Sequence, residues 1–332
     1  MRDGAGSKLG WMIGPSEQVP DSLTPLFERL NDIYGPDVRQ SIQASMQVAK
    51  QVGWLRNVLL AADLLAADLL AAERLPPGEP VSGLDGCFAL PATEREALMA
   101  HPAVEAGSAY PTNPSSVVAA RCLDVHPGQE VLDLAAAPGG KTLQLAMAMR
   151  NQGRIAAVEA VKSRFHRMRA NLSRCGVTCA EFYLADGRSI GRKVPERFDR
   201  VLLDSPCSSE ARIRLDEPAS YAHWSPRKTR EMVRKQRGLI RSAFLALKPG
   251  GEMVYCTCAF SVEENEQIVD YLLHRSPEAD VLPVMVPAAR SLPGLTSWRG
   301  KAMDNRLSAC RRVLPDELFD GFFIARIRKT TS

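Results

Sequence analysis

Residues 133–142 read DLAAAPGGKT. The apolar run that leads into them, EVLDLA (130–135), predicts a strand, and a helix is predicted from Lys141 onward. Between the two lie only small residues, a proline and two glycines. Small residues let a ligand approach the backbone closely, and the first turn of a helix offers unpaired N–H groups. A plain tight turn would account for one glycine but not for the whole string. The spacing is neither GxGxxG nor GxxxxGK[ST], which disfavours a dinucleotide or a triphosphate as the ligand.

Downstream, short apolar runs alternate with amphipathic stretches. RIAAVE (154–159) predicts a second strand, followed by a helix near Ser163–Cys175. Further strands are predicted near Glu181–Leu184 and at Arg200–Asp204. A long helix is predicted from about Pro226 to Leu247, with Ser225 and Pro226 as cap and first turn and Pro249–Gly250–Gly251 as the stop. EMVYC (252–256) and GFFIARI (321–327) complete the strands, and Ser261 with Glu264 has capping-box spacing. This alternation predicts an α/β fold with a doubly wound, mostly parallel sheet, whose ligands bind at the carboxyl ends of the strands.

Upstream the texture differs. Residues 1–20 are rich in Gly, Ser and Pro and read as a flexible lead-in. Phe27 to Gly53 reads as helical, and Leu59–Glu73 is a fivefold-step repeat (LLAAD, LLAAD, LLAAE) that reads as an Ala/Leu helix ended by Pro76, Pro77 and Pro80. The expected organisation is a helix-rich N-terminal domain over 21–106 and a larger domain over 107–330.

Of the 332 residues, 42 are Lys or Arg and 38 are Asp or Glu, a net charge of +4 that excludes a histone-like polybasic binder. The balance is uneven. Residues 1–149 carry net −7 and the remaining 183 carry +11, which favours an anionic partner on the C-terminal side. The eight cysteines form no CxxC pair, and the five histidines lack zinc-finger spacing, so no metal site is expected. Without an apolar leader or span at the N-terminus, a soluble cytoplasmic chain with free thiols and no membrane contact is expected.

Three motifs in order, DLAAAPGGKT, LLDSPCSS (202–209) and YCTCAFSVEENE (255–266), resemble the Nop/Sun family of RNA cytosine-5 methyltransferases. The stretch Leu172–Asp204 is most similar to the bacterial branch that modifies small-subunit ribosomal RNA. The resemblance spans about Tyr110 to Arg328. It implies a Rossmann-like, seven-stranded, S-adenosylmethionine-dependent methyltransferase fold over 107–330 and a monomer needing no metal. It places Ala135, Ala136, Ala137, Pro138, Gly139, Gly140 and Lys141 around the methionine part of the cofactor. Glu159, Asp186 and Asp204 follow at the next strand ends, with Glu159 suited to accepting ribose hydroxyls.

Cytosine C5 is a poor nucleophile. A thiolate added to C6 makes C5 enamine-like, so it can take the methyl group, and loss of the C5 proton then expels the enzyme. The resemblance assigns Cys258 as the nucleophile and Cys207 as the promoter of elimination. Asp204 would hold the cytosine ring and Lys141 would orient Asp204. DNA cytosine-5 methyltransferases attack with the Pro–Cys cysteine instead, so the downstream Thr257–Cys258 pair points to RNA. Two departures from the family pattern stand beside these residues: Cys256 where Ser is more common, and Ser209 where Gly is more common.

Ribosomal RNA is the expected partner, with transfer RNA the second target class and an RNA-binding assembly factor with vestigial activity the third reading. Arg227, Arg230, Arg234, Arg237 and Arg241 step by three and four along one face of the long helix, with Met232, Leu239, Ile240, Ala243 and Leu247 opposite. Arg188, Arg192 and Lys193 are further phosphate-binding candidates. Asn113–Ser116 match a family segment at the entry to the larger domain. The Arg-x-Asn signature usual in the family's N-terminal domain is reduced here to Arg56–Asn57.

Overall fold

The computed structural model describes residues 19–60, 75–287 and 289–331. Most of the lead-in and most of the LLAAD repeat therefore lie outside the described residues. Helix α1 (Thr24–Ser45) is kinked at Gly35, whose φ is 74°, just before Pro36. The helical reading of 27–53 ends early, because Val52–Arg56 is strand β1. Strands β2 (Glu79–Pro80) and β3 (Cys87–Leu90), helices α2 (Arg95–Met99) and α3 (Pro102–Ala106), and strand β4 (Ala109–Pro111) follow. The strands form an antiparallel sheet in the order β2-β3-β1-β4. Trp54 faces Phe88 across it, the rings stacked 4.4 Å apart. Such an aromatic cross-strand pair favours the extended form over the helix that its neighbours suggest. The N-terminal part is thus helical with a small sheet added.

Helix α4 (Pro114–Arg121) leads into the main sheet. Strand β5 (Glu130–Asp133), helix α5 (Gly140–Ala148), strand β6 (Arg154–Glu159), helix α6 (Lys162–Arg174) and strand β7 (Ala180–Leu184) alternate as expected. The short α7 (Ile190–Lys193), β8 (Phe198–Asp204), α8 (Pro226–Ala246), β9 (Leu247–Thr257), α9 (Glu266–Leu273) and β10 (Ala279–Leu282) continue the pattern. Strands β11 (Ser291–Pro293), β12 (Ser297–Trp298), β13 (Lys301–Ala302), β14 (Arg311–Val313) and β15 (Phe322–Lys329) close the chain.

The main sheet runs β11-β14-β15-β9-β8-β5-β6-β7, with β10 also on β15. Strands β7, β6, β5, β8 and β9 are parallel, and β15 inserts antiparallel beside β9. With β10 these make the seven expected strands, and the short β14 and β11 extend the edge. Successive residues point to opposite faces. Val201, Leu203, Met253 and Tyr255 pack with α8 and α9, whereas Leu202, Val254, Cys256 and Cys258 join the core on the other side. The Cys256–Cys258 spacing therefore puts both thiols on one face. Helix α8 starts as predicted, Ser225 Oγ accepting from the Lys228 N–H at 3.1 Å.

Asn57, only 2% exposed, joins the two parts of the chain. Its Nδ2 donates to the carbonyls of Gly107 and Cys175, each at 2.9 Å, and its Oδ1 accepts from the Leu59 N–H at 3.0 Å. Three bonds satisfy almost the whole amide in a place where an unpaired polar group would be costly.

Candidate active site

Strands β8 and β9 are parallel neighbours, with Asp204 opposite Cys256. The chain leaves both strands at the same end, where the Cys207 and Cys258 sulfurs meet at 3.2 Å. Several bonds fasten the two loops together. The Ser205 N–H donates to the Cys256 carbonyl at 2.9 Å and the Ala211 N–H to the Cys258 carbonyl at 3.0 Å. The fully buried Glu210 accepts from the N–H groups of Phe260 and Ser261, each at 2.9 Å. The fully buried Glu264 accepts from the Ser208 N–H at 2.9 Å, from the Ser208 hydroxyl, and from Gln236 Nε2 at 2.8 Å. Ser261 Oγ also donates to Glu264, at 3.0 Å. This overturns the capping-box reading: α9 begins only at Glu266, and Glu264 serves the cysteine loops instead.

The two thiols are not equivalent. Cys258 is pulled down to about 7, first by the hydrogen bond from Cys207 and then by the nearby charge of Arg212, against the opposing effect of burial. Cys207 moves well upward, first because it is the hydrogen-bond partner of Cys258 and second because it is buried. Cys258 is thus the sulfur that ionises first, with the Cys207 thiol donating to it.

Beside them, Lys141 Nζ donates to Asp204 Oδ2 at 2.7 Å and to Ser116 Oγ at 3.2 Å. The Cys256 thiol lies 3.7 Å from the other oxygen of Asp204. Lys141, at the start of α5, therefore links the glycine-rich loop, α4 and the end of β8. Asn113 begins α4, its side chain accepting from the Ser115 N–H at 2.8 Å, which sets Ser116 facing Lys141. Ser209 has φ 59°, in the left-handed region that glycine adopts without strain. That accounts for a preference for Gly at this position.

In the loop 135–140, the Ala136 N–H donates to the Val158 carbonyl at 2.9 Å, while Arg164 and Asn171 of α6 hold the carbonyls of Ala137 and Pro138 at 2.7 and 2.9 Å. Gly139 has φ 106°, and a Cβ on Gly140 would stand 2.9 Å from the ring of Tyr110. Two buried carboxylate oxygens in this region have no hydrogen-bond partner, Asp133 Oδ1 and Glu159 Oε2. Asp133 Oδ2 accepts from Thr142 Oγ1 at 2.7 Å, and burial pushes its carboxyl up to about 7. Glu159 Oε1 accepts from the Val161 N–H at 2.8 Å. Asp133 Oδ1 at the end of β5 is thus left open, and Glu159 Oε2 at the end of β6 has only the Arg164 guanidinium at 3.6 Å. Such under-used acceptors fit a ligand that brings its own donors, as the ammonium and ribose hydroxyls of S-adenosylmethionine would. Asp186 differs, because its carboxylate is held below its usual range by the Arg188 guanidinium, 2.5 Å away. Among the described residues no group of three or more His, Cys, Asp or Glu could hold a metal ion.

A profile of the family described as 16S rRNA methyltransferase RsmB/F matches residues 120–328. The chain belongs to this family. It is 38% identical to the Ribosomal RNA small subunit methyltransferase F of Vibrio vulnificus over 294 residues, covering 88% of the chain and 56% of that protein. It is 43% identical to the Escherichia coli O139:H28 protein of the same name over 215 residues, 64% of the chain and 43% of the relative. The chain thus spans about half the length of the curated relatives it matches. Among solved structures, a methyltransferase homolog protein from Pyrococcus horikoshii superposes with a TM-score of 0.75 at 29% identity, over 91% of this chain and 93% of that one. NSun6 from the same organism gives 0.70 at 21% identity, over 94% and 99%, a likeness of fold. The Rossmann-like methyltransferase fold expected from the motifs is the fold observed.

Against this family background, the other predicted residues distribute as follows. Arg227, Arg230, Arg234, Arg237 and Arg241 are all exposed on α8, as are Arg192 and Lys193 on α7. Met232, Leu239, Ile240, Ala243 and Leu247 are buried opposite them. Lys228 and Lys235 pair with Glu231, but among the described residues none of the five arginines has a carboxylate within 4.0 Å. Arg237 lies over the ring of Tyr271 at 5.1 Å. Arg188 is instead paired with Asp186. The sequence singles out no role for Arg212, Glu210 or Asp133, and it marks Glu264 and Ser116 only by capping-box spacing and as part of a family segment. Asp133 carries a local signal as the first residue of DLAAAPGGKT, whereas Arg212 and Glu210 carry none.

Proposed function

We propose that this protein transfers a methyl group from S-adenosylmethionine to carbon 5 of a cytosine in small-subunit ribosomal RNA. The reading rests on one observation above all, the Cys207–Cys258 contact at the mouth of β8 and β9. Cys258, ionised first, adds to C6, and the new C–S bond places electron density on C5. The cofactor supplies the electrophilic methyl group. Lys141, bonded to Asp204 Oδ2 at 2.7 Å, aims it so that its carboxyl group meets the polar edge of the cytosine. Once C5 carries the methyl, its proton must leave. Cys207, no longer donating to a thiolate, gives its own proton to solvent and then accepts the C5 proton, and the C–S electron pair returns to Cys258 as the bond breaks. Asp133 takes a donor of the cofactor with its unpartnered Oδ1, Glu159 takes another in competition with the Arg164 guanidinium 3.6 Å from its Oε2, and the Ala135–Gly140 loop gives close backbone contact. Asp186 serves the adenine end, and Arg188 turns away to free it.

The arginine face of α8, with Arg192 and Lys193, holds RNA phosphates beside the site. Gln236, on the same helix, donates to the Pro206 carbonyl at 3.0 Å and so couples that face to the Cys207 loop.

Methyl transfer to protein-free small-subunit ribosomal RNA and to assembled subunits, using labelled cofactor, tests the reading. Cys258→Ser should abolish turnover, whereas Cys207→Ser should accumulate a protein–RNA adduct that survives denaturing electrophoresis. Full activity in Cys258→Ser would mean that the nucleophile is wrongly assigned. Transfer to transfer RNA alone would mean that the substrate is.

A further inference from the structure

Among the described residues, the positive charges around the two cysteines divide into those already engaged and one that is not. Lys141 is held by Asp204 at 2.7 Å, and Arg29 by Glu210 at 3.2 Å. Arg214 donates to the Val48 carbonyl at 2.8 Å and pairs with Asp216 at 2.7 Å. Arg312 is buried against Glu266. Arg212 differs from all of these. It is exposed, and among the described residues it has no carboxylate within 4.0 Å and no side-chain hydrogen bond.

Its backbone, by contrast, is firmly placed. The preceding N–H, of Ala211, donates to the carbonyl of Cys258 itself at 3.0 Å. The Arg212 N–H donates to the Ser209 carbonyl at 3.0 Å, and Ile213 beyond it is 2% exposed. A short helical turn, Glu210–Arg212, thus carries a free guanidinium from the peptide of the nucleophile to the surface. Its charge acts on Cys258, Asp320, Asp204 and Cys207 together.

Nucleotide stereochemistry supplies the ligand. In the common anti conformation, C6 is on the edge of cytosine that faces the 5′-phosphate of the same nucleotide. A sulfur that attacks C6 is therefore approached by that phosphate as well. Guanidinium groups bind phosphate through paired, charge-assisted hydrogen bonds, and phosphate contacts fix position rather than sequence. We propose that Arg212 binds the 5′-phosphate of the target cytidine and so sets C6 over Cys258. The proposal rests on the cytosine-5 reading above and makes Arg212 a positioning residue for it.

Arg212→Gln and Arg212→Lys in the full chain test this with a small-subunit ribosomal RNA transcript as the probe. Arg212→Gln should raise KM about tenfold, the size expected for one lost charge-assisted phosphate contact. The slope of log affinity against log salt should become shallower by about 0.7–0.9. Arg212→Lys should keep the slope, because the charge remains, while recovering only part of the KM. An unchanged slope and KM in Arg212→Gln overturns the proposal, as does a loss confined to kcat. Wild-type protein that binds the transcript but methylates no RNA would overturn the cytosine-5 reading, and the salt slope would still report on Arg212.

Discussion

The sulfur of Cys207 lies 3.2 Å from that of Cys258, although 51 residues separate them in the chain. Parallel pairing of β8 with β9 makes this contact, and two buried glutamates hold it. Glu210 bonds the backbone that follows Cys258, and Glu264 bonds the backbone that follows Cys207. Each loop is thus held by a carboxylate from the other, so the sulfurs meet without depending on substrate to bring them together.

The hydrogen bond from Cys207 and the charge of Arg212 pull the Cys258 thiol down from 9.0 to about 7. The thiolate is the reactive form, so reactivity should rise with pH through that value and level off above pH 8. Iodoacetamide labelling of Cys258, followed by peptide mass spectrometry across pH 5.5–9.5, reads this directly. A midpoint near 9 would mean that the two partners do not act on it. In Cys207→Ala the midpoint should move upward.

Ser209 occupies left-handed backbone at φ 59°. Ser209→Gly should relieve this strain and stabilise the fold by about 1 kcal/mol, a rise of about 2 °C in Tm. The same change removes the Ser209 hydrogen bond that helps to lower Cys258, so its ionisation should shift slightly upward. Calorimetry checks the first effect, and an unchanged or lower Tm would show that the serine side chain contributes more than the strain costs.

Arg312 is 2% exposed and pairs with the fully buried Glu266, while also donating to the Tyr34 hydroxyl at 2.9 Å and the Phe260 carbonyl at 2.8 Å. It joins β14, α9, α1 and the loop after Cys258. Arg312→Met leaves Glu266 buried without its partner and should destabilise the protein by about 3–5 kcal/mol. Urea denaturation measures this, and a loss below about 1 kcal/mol would mean that Glu266 finds another donor.

The arginines of α8 have no carboxylate partners among the described residues, so neutralising them should weaken RNA binding without touching chemistry. Arg230→Gln with Arg234→Gln should reduce the salt slope of RNA binding by about 1.4–1.8 and leave kcat at saturating RNA unchanged. If the slope is unaltered, RNA does not lie across this helix.

Much of this site is legible in the chain as written. DLAAAPGGKT, DSPC and TC carry their chemistry in adjacent residues, and the Arg face of α8 follows from steps of three and four. Strand β1 was hidden because its aromatic partner, Phe88, is remote in sequence. The capping-box reading of Ser261 and Glu264 failed for a similar reason, since Glu264 finds stronger donors in Ser208 and Gln236 than in its own turn.

The alternating α/β order, the loop that opens the sheet and the residue types at each strand end can be read along the chain, because these depend on local periodicity and turn chemistry. The contact between the two sulfurs, the pairing of Arg188 with Asp186 and the lack of any carboxylate within 4.0 Å of Arg212 among the described residues emerge only in the fold. Those outcomes depend on burial and on distances between charges, and parallel strand pairing sets both between residues far apart in the chain.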